Sequence, residues 1–162
     1  MTDRPKTALS LITVRAARLD DAPTLKTMCW PERSLDSVSE LVQRTLRLTQ
    51  HQRGTGAVGA WNGQLCAFGM LTLWPRNAEI SDLIVHPDYR SHGVGSQIIT
   101  YLTEAARQLQ VQTLEIGVAL SNPRALALYR RLGFQDNRVV NLDLGSGSEP
   151  VMYLTKDLTP PG

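Results

Sequence analysis

The chain has 162 residues, a length that suits one α/β domain with a single sizeable core. The formal net charge is only +2 and no basic run exceeds a pair, which argues against a nucleic-acid partner. The N-terminal stretch lacks the features of a signal peptide and the sequence has no apolar run long enough to span a bilayer, so a cytoplasmic protein without a membrane partner is expected. Two cysteines without CxxC spacing and three dispersed histidines form no recognisable metal set, so no metal is expected.

The beginning of the chain predicts a leader, a strand and a helix. Residues 1–10 should form a flexible leader, and one domain is expected over residues 11–158. Within that domain the pattern predicts a first strand at Ile12–Ala16 and a short helix over residues 19–28.

A second helix and a hairpin are predicted next. The Ser37-x-x-Glu40 pattern is typical of a capping box at a helix start. The helix after it has one apolar face, formed by Val38, Leu41, Val42 and Leu46. Asn62-Gly63 is typical of a two-residue turn between hairpin strands over residues 56–61 and 64–73.

The second half of the chain alternates strands and helices. The predicted elements are a strand at Ala78–Val85, a helix from Gly93 to about Gln108, a strand over residues 113–118, a helix after Asn122, and a closing strand pair over residues 138–144 and 151–156. The complete order is βααβββαβαββ, which indicates an α/β (α+β) domain.

The segment over residues 82–95, DLIVHPDYRSHGVG, carries the first functional signal. A strand that enters a glycine-containing turn at a helix start is typical of phosphate binding, because free backbone N–H groups and the helix dipole attract an anion there. Arg90 adds a fixed cation with a fork of donors. Ile98 stands where a dinucleotide-binding turn has its third glycine, and no P-loop run exists. An ordinary strand-to-helix turn remains the alternative.

The segment over residues 121–134, SNPRALALYRRLGF, carries the second signal. Asn122 is a typical N-cap, proline suits the first helical position, and Gly133 is a typical C-cap. Asn122 and Tyr129 are seven residues apart and therefore share a helix face. An amphipathic helix with Tyr129 in the core is the alternative interpretation.

Together these segments resemble the GNAT N-acetyltransferase superfamily over almost the whole chain. The acyl-CoA motif Gln/Arg-x-x-Gly-x-Gly/Ala is matched by residues 90–95, RSHGVG, after a strand and a proline turn over residues 83–87, LIVHP. The later N-x-x-A-x-x-L-Y-x-x-x-G-F pattern is matched at Asn122, Ala125, Leu128, Tyr129, Gly133 and Phe134. The resemblance implies a single domain with a mixed, twisted central sheet of about seven strands and helices on both faces.

The resemblance also implies acetyl-CoA as the acyl donor. The implied CoA-binding residues are Leu83, Ile84, Val85, Arg90, Ser91, His92, Gly93, Val94, Gly95, Ser96 and Asn122. The amides of Leu83 and Val85 should bond the pantetheine arm, since a splayed strand offers edge groups to a strand-like ligand. Tyr129 is the implied general acid for the leaving thiolate. The side chain of His92 lies at a motif position that tolerates any residue.

The chemistry of amine transfer requires a base. An amine with a lysine-like pKa near 10.4 is almost fully protonated at pH 7, and freeing it costs about 4 to 5 kcal/mol. Glu79, eleven residues before Arg90, stands where family members carry a glutamate base, and a solvated strand-end carboxylate is the alternative. Strand alternation predicts Glu79, Ser81, Leu83 and Val85 on one face and Asp82 on the other.

The sequence therefore predicts an acetyl-CoA-dependent N-acetyltransferase that acts by direct transfer in a ternary complex. The acyl group should not be an aminoacyl group, and the acceptor should be a primary amine of a small molecule or peptide. The alternatives are an acyl-CoA-binding sensor without robust catalysis and a toxin that acetylates aminoacyl-tRNA. The resemblance implies that the acceptor lies near residues 29–32, 74–77 and 143–149, with Trp30, Glu32 and Trp74 as candidate contacts, and a homodimer is a reasonable guess.

Overall fold

The computed structural model describes residues 11–143, 145 and 147–160. Its strands are β1 (Ile12–Ala16), β2 (Gly54–Trp61), β3 (Gln64–Leu73), β4 (Ala78–Val85), β5 (Thr113–Ala119), β6 (Gln135–Asp143) and β7 (Ser148–Asp157). Its α-helices are α1 (Ala22–Cys29), α2 (Leu35–Gln50), α3 (Val94–Gln108) and α4 (Pro123–Arg131). The expected leader and Leu144, the last residue of one predicted strand, fall outside the described residues.

The seven strands form one mixed sheet in the order β1-β2-β3-β4-β5-β7-β6. Only β4 and β5 pair in parallel among the described strands, and β7 lies between β5 and β6. The predicted fold class is confirmed, including the number of strands.

Helices cover both faces of the sheet, as predicted. On one face α1 and α2 pack over β2 and β3, with Leu25, Val42 and Phe68 fully buried. On the other face α3 packs closely, since a Cβ at Gly59 or Gly69 would lie 2.8 Å from a side-chain atom of that helix. The core on this side also includes Leu126 and Tyr129 of α4.

The first two helices begin differently from the prediction. Helix α2 begins at Leu35 rather than after Ser37, because Ser34 is the N-cap and its hydroxyl accepts a hydrogen bond from the Ser37 amide. The predicted helix over residues 19–28 is a 3₁₀ turn at Leu19–Asp21 followed by α1. Leu46 of α2 is 37% exposed, so it does not belong to the buried face.

The last strands are longer than predicted. Strand β6 begins at Gln135 and β7 at Ser148, because cross-strand pairing continues beyond the apolar runs that the sequence displays. Within the described part of the chain, no helix has both the length and the apolar character needed to cross a membrane.

Candidate functional site

Strands β4 and β5 separate along their length and leave a cleft. Only residues 78–80 of β4 pair with residues 114–116 of β5. Beyond that point the edge of β4 over Leu83, Ile84 and Val85 lines an open cleft of about 560 Å³ instead of meeting a neighbouring strand. A strand edge of this kind offers backbone N–H and C=O groups to an extended ligand.

A β-bulge in β4 corrects the predicted alternation of side chains. Residues 81 and 84 pair with residues 70 and 68 of β3, so β4 carries one extra residue, and Asp82 there has a left-handed φ of 54°. Glu79 and Ser81 therefore face the side of α1 and α2, whereas Leu83 and Val85 pack with the core on the α3 side. The prediction that all four share one face was wrong, because a bulge reverses the alternation that follows it.

The turn after β4 brings the predicted phosphate-binding residues to the same cleft. The Arg90 guanidinium donates from Nε to the Val85 carbonyl at 3.2 Å, which anchors the turn to the strand. Gly93 is the N-cap of α3 and has a φ of +90°. The first helical bond runs from the Gln97 amide to the Gly93 carbonyl, so the amides of the three residues between them are available at the helix end.

An aromatic stack supports this turn from the side of β2. The His92 ring stacks on Trp61 with centroids 4.2 Å apart and an interplanar angle of 17°, and Tyr89 meets Trp61 edge-on. His92 does not line the cleft, unlike the neighbouring residues Ser91 and Gly93. Its side chain therefore braces the turn against the sheet.

Helix α4 forms the opposite wall of the cleft. The Asn122 side chain caps the helix by accepting from the Ala125 amide at 3.2 Å, as its position predicted. Tyr129 is only 7% exposed and belongs to the core, as the alternative interpretation predicted, and it also lines the cleft with Asn122. Burial raises the pKa of the Tyr129 phenol to about 12.

The sequence did not single out two arginines of α4 that line the same cleft. Arg124 donates from Nη2 to the Ser91 hydroxyl and so connects α4 to the turn between β4 and α3. Ser91 has a φ of 67°, which is uncommon for a residue other than glycine. Arg131 also lines the cleft, whereas its neighbour Arg130 is paired with Asp136 on the surface. The seven-residue spacing of Arg124 and Arg131 places both on one face of the helix, and this spacing was the signal that the sequence offered for them.

Glu79 lies in a different concavity, on the α2 side of the sheet. This groove has a volume of about 620 Å³ and is lined by Arg44, Leu48, Arg53, Met70, Thr72, Leu73, Trp74, Glu79, Ser81 and Asp82. The bulge separates the two concavities, since Asp82 lines the groove and the next residue, Leu83, lines the cleft. The structure therefore does not place Glu79 in the cleft that holds Tyr129, but on the other side of the same strand.

A second carboxylate lies beside Glu79. Glu115 of β5 is directly paired in register with Glu79 and is only 6% exposed. The Arg138 guanidinium donates to one of its carboxylate oxygens at 2.6 Å, and the Asn77 amide group donates to the other at 3.4 Å. Arg138 itself stacks over the Tyr153 ring at 4.5 Å. The one signal for Glu115 in the sequence was a charged residue within an apolar strand.

These surroundings raise the pKa of the Glu79 carboxyl above its usual value. Burial is the largest cause, and the negative charges of Glu115 and Asp82 act in the same direction. A hydrogen bond with Trp74 and the positive charge of Arg138 oppose the shift. A half-buried carboxylate with a raised pKa is suited to accept a proton.

The other predicted acceptor residues are not gathered in one place. Trp30 packs edge-on against the buried Phe68, with ring centroids 5.3 Å apart, and Arg33 lies over its ring. Trp74 is half exposed and lines the groove of Glu79, whereas Glu32 lies on the surface. The loop over residues 143–149 falls partly outside the described residues.

A comparison with protein-family models identifies this arrangement. The model described as "Acetyltransferase (GNAT) family" matches residues 19–134, which include β4, the turn with Gly93, α3, β5 and α4. Among the described residues, no three His, Cys, Asp or Glu side chains are grouped as a metal site requires.

Curated relatives match parts of the chain. The [ribosomal protein bS18]-alanine N-acetyltransferase of Escherichia coli is 30% identical over 94 residues, which are 58% of this chain and 64% of that relative. An uncharacterised N-acetyltransferase of Methanocaldococcus jannaschii is 36% identical over 63 residues, 39% of this chain and 28% of that relative. The thialysine N-epsilon-acetyltransferase of Bos taurus is 39% identical over 69 residues, 43% of this chain and 41% of the relative. The chain thus spans less than two thirds of the length of each of these relatives.

Solved structures match the fold over nearly the whole chain. The ribosomal-protein-S18-alanine N-acetyltransferase from Escherichia coli has a TM-score of 0.72 at 22% identity, covering 94% of this chain and 97% of that one. The structure of a putative acetyltransferase from Salmonella typhimurium with its cofactor acetyl-CoA has a TM-score of 0.75 at 18% identity, covering 91% and 94%. At these identities the likeness establishes a shared fold.

Proposed function

Because this chain belongs to the acetyltransferase (GNAT) family, we propose that it transfers the acetyl group of acetyl-CoA to a primary amine of a small molecule or protein. One observation carries the proposal. The unpaired edge of β4, the amide-rich start of α3 and the Tyr129 side chain all line a single cleft of about 560 Å³. This combination suits a ligand with a diphosphate at one end and an extended, amide-containing arm at the other.

The residues of the cleft fit acetyl-CoA in three respects. The diphosphate would bind the amides at the start of α3, with the Arg90 and Arg124 guanidinium groups close by. The pantetheine arm would pair with the edge of β4 at Leu83 and Val85, as a strand does. Asn122 at the start of α4 would close the cleft from the opposite wall.

The transfer itself needs one proton acceptor and one stabilised leaving group. The amine nitrogen bonds to the acetyl carbon, the carbon–sulfur bond breaks, and the sulfur of CoA leaves as a thiolate with the bonding electrons. Glu79 would take the proton from the amine, directly or through water. Glu115, which accepts hydrogen bonds from Arg138 and Asn77, would support this role because its negative charge raises the pKa of Glu79.

Tyr129 would act on the leaving thiolate. A phenol with a pKa of about 12 gives its proton to a thiolate with a pKa near 8.5 only at a cost on the order of 5 kcal/mol. We therefore infer that the neutral Tyr129 hydroxyl stabilises the departing sulfur by donating a hydrogen bond, and that the CoA thiolate subsequently takes a proton from solvent. Tyr129 therefore remains the residue that assists the leaving group, as a hydrogen-bond donor instead of the predicted general acid.

The names of the relatives support both a protein and a small molecule as the acceptor. One is named for a ribosomal protein's alanine and another for thialysine, so a protein α-amine and a side-chain-type amine are both candidates. Transfer by a ternary complex is favoured because Cys29 and Cys66 are both buried, and burial is the main cause of the raised pKa of each thiol, about 12 for Cys29.

The proposal is tested by two measurements on the same preparation. Calorimetry with acetyl-CoA should show binding, and thiol release from acetyl-CoA should increase when amines are added from a panel of polyamines, amino acids and short peptides. Binding without amine-dependent release would support an acyl-CoA-binding module instead. The absence of binding at millimolar acetyl-CoA would contradict the proposal altogether.

Replacing Arg124 with alanine should raise the KM for acetyl-CoA about three- to tenfold and change kcat less. The guanidinium is exposed and screened, so its loss should cost no more than one charge-assisted hydrogen bond. Arg130→Ala is the matched control, since that arginine is on the same helix and is paired with Asp136 outside the cleft. Equal effects of the two substitutions would show that general surface charge, not contact with the turn, is responsible.

A further inference from the structure

We propose that the groove beside Glu79 selects an acceptor that carries a carboxylate at a distance from its reacting amine, as a free diamino acid does. The inference rests on the proposed function and specifies its acceptor. It depends on one observation: two arginines, two carboxylates and several apolar side chains line a single groove of about 620 Å³. A volume of this order suits a small molecule.

The opposite charges of the groove come from different elements of the fold. Glu79 and Asp82 belong to β4. Arg44 belongs to α2 and Arg53 to the segment directly after it. Helix α2 packs over β2, and Arg53 directly precedes β2, whereas β3 lies between β2 and β4. The cationic part of the groove is therefore separated from the carboxylate part by the width of β3.

Among the described residues, ion pairs do not neutralise the charges of the groove. In the described part of the chain, none of the ion pairs within 4.0 Å involves Arg44, Arg53, Glu79 or Asp82. A guanidinium group presents a planar fork of donors that matches a carboxylate. The two carboxylates at the other part of the groove match an ammonium group, which must lose its proton before it reacts.

The surface between the two charged parts is largely apolar. Leu48, Met70, Leu73 and Trp74 also line the groove. A chain of methylene groups between an amine and a carboxylate would bury its surface there at about 25 cal/mol per Å². A polyamine would instead bring a second cation to the arginines, which like-charge repulsion disfavours.

The position of the donor cleft fixes the orientation of the acceptor. Asp82 lines the groove and Leu83 lines the cleft, so the carboxylate part of the groove is the part next to the acetyl group. The reacting amine must lie there, and the acceptor's carboxylate lies toward Arg44 and Arg53. Strand β3 separates β4 from β2, and neighbouring strands lie about 4.8 Å apart, so a side-chain amine several bonds from the carboxylate spans the two parts better than an α-amine does.

The test compares amines that differ only in the carboxylate. L-lysine and cadaverine have the same reacting amine, as do L-ornithine and putrescine. We expect kcat/KM for each amino acid to exceed that for its decarboxylated partner by about tenfold, the order expected of one charge-assisted hydrogen bond in an open groove. The difference should arise mainly in KM.

Charge variants of the groove supply the second part of the test. In Arg44→Ala and Arg53→Ala the lysine-to-cadaverine ratio of kcat/KM should fall toward one, and in Arg53→Glu it should invert in favour of cadaverine. Arg47→Ala is the matched control, because Arg47 is exposed on the same helix and does not line the groove. It should keep the wild-type ratio. Melting temperatures of all variants would show that each one is folded.

Several outcomes would overturn the inference. Equal kcat/KM values for lysine and cadaverine, or a ratio that Arg44→Ala and Arg53→Ala leave unchanged, would contradict selection by the arginines. A peptide α-amine that reacts better than lysine would contradict the assignment of a side-chain amine. Turnover without any carboxylate preference overturns this inference alone, whereas acetyl-CoA binding without turnover of any amine overturns the proposed function as well.

Discussion

Replacing Gly93 with valine should raise the dissociation constant for acetyl-CoA by about tenfold or more. Gly93 has a φ of +90°, a conformation that a β-branched residue adopts only at a cost of about 1–3 kcal/mol. Space is not the limitation, because a Cβ there would meet only an Ile12 side-chain atom, at 3.7 Å. The turn should relax to another conformation and withdraw the amides at the start of α3. Calorimetry with acetyl-CoA measures the effect directly.

Gly93→Asn is the control for this prediction. Asparagine tolerates left-handed backbone conformations, so this variant should bind acetyl-CoA much more tightly than Gly93→Val does. A Gly93→Val variant with wild-type affinity and a normal melting temperature would show that the helix start does not hold the diphosphate.

Replacing Glu79 with glutamine should lower kcat/KM at neutral pH by about a hundredfold or more, the usual contribution of a general base. The wild-type rate should fall as the pH decreases through the raised pKa of Glu79, because the protonated carboxyl cannot accept a proton. The variant should lack this decrease in rate at low pH, which is the acid limb of the pH–rate profile. Its deficit should shrink as the pH approaches 10, where a lysine-like amine loses its proton without help. Complete pH–rate profiles of both proteins check the prediction.

Glu115→Gln distinguishes the two neighbouring carboxylates. The negative charge of Glu115 raises the pKa of Glu79, so its removal should move the acid limb to lower pH and leave the limb present. Glu104→Gln, on the exposed surface of α3, should leave the profile unchanged. If Glu115→Gln abolished the acid limb and Glu79→Gln kept it, the role of base would pass to Glu115.

Much of the lining of the cleft could be predicted from sequence because turns and helix caps are local. The proline turn, Arg90, Gly93 and the Asn122 cap each act within a few residues of their own position in the chain. Turn and cap geometry depends on such short-range bonds, and the structure accordingly gathers these residues in one cleft. The exceptions are His92, whose stacking partner Trp61 is distant in sequence, and Arg124 and Arg131, which line the cleft without having been predicted.

The acceptor side could not be predicted in the same way. Asp82 introduces an extra residue into β4, and no short-range pattern in the sequence marks this bulge, so the prediction placed Leu83 on the wrong face. Arg138 of β6 reaches Glu115 of β5 across β7, and this strand order differs from the order in the chain. Register between distant strands depends on the packing of the whole sheet.

The sequence by itself determined the family resemblance, the fold class, and the turn and helix cap that line the cleft. Only the tertiary structure decided that Glu79 and Tyr129 lie on opposite sides of β4, that Glu115 adjoins Glu79, and that Arg44 and Arg53 share a groove with Glu79. The physical reason is the range of the interactions. Turns and helix caps form between near neighbours in the chain, whereas these contacts arise where strands and helices distant in sequence pack together.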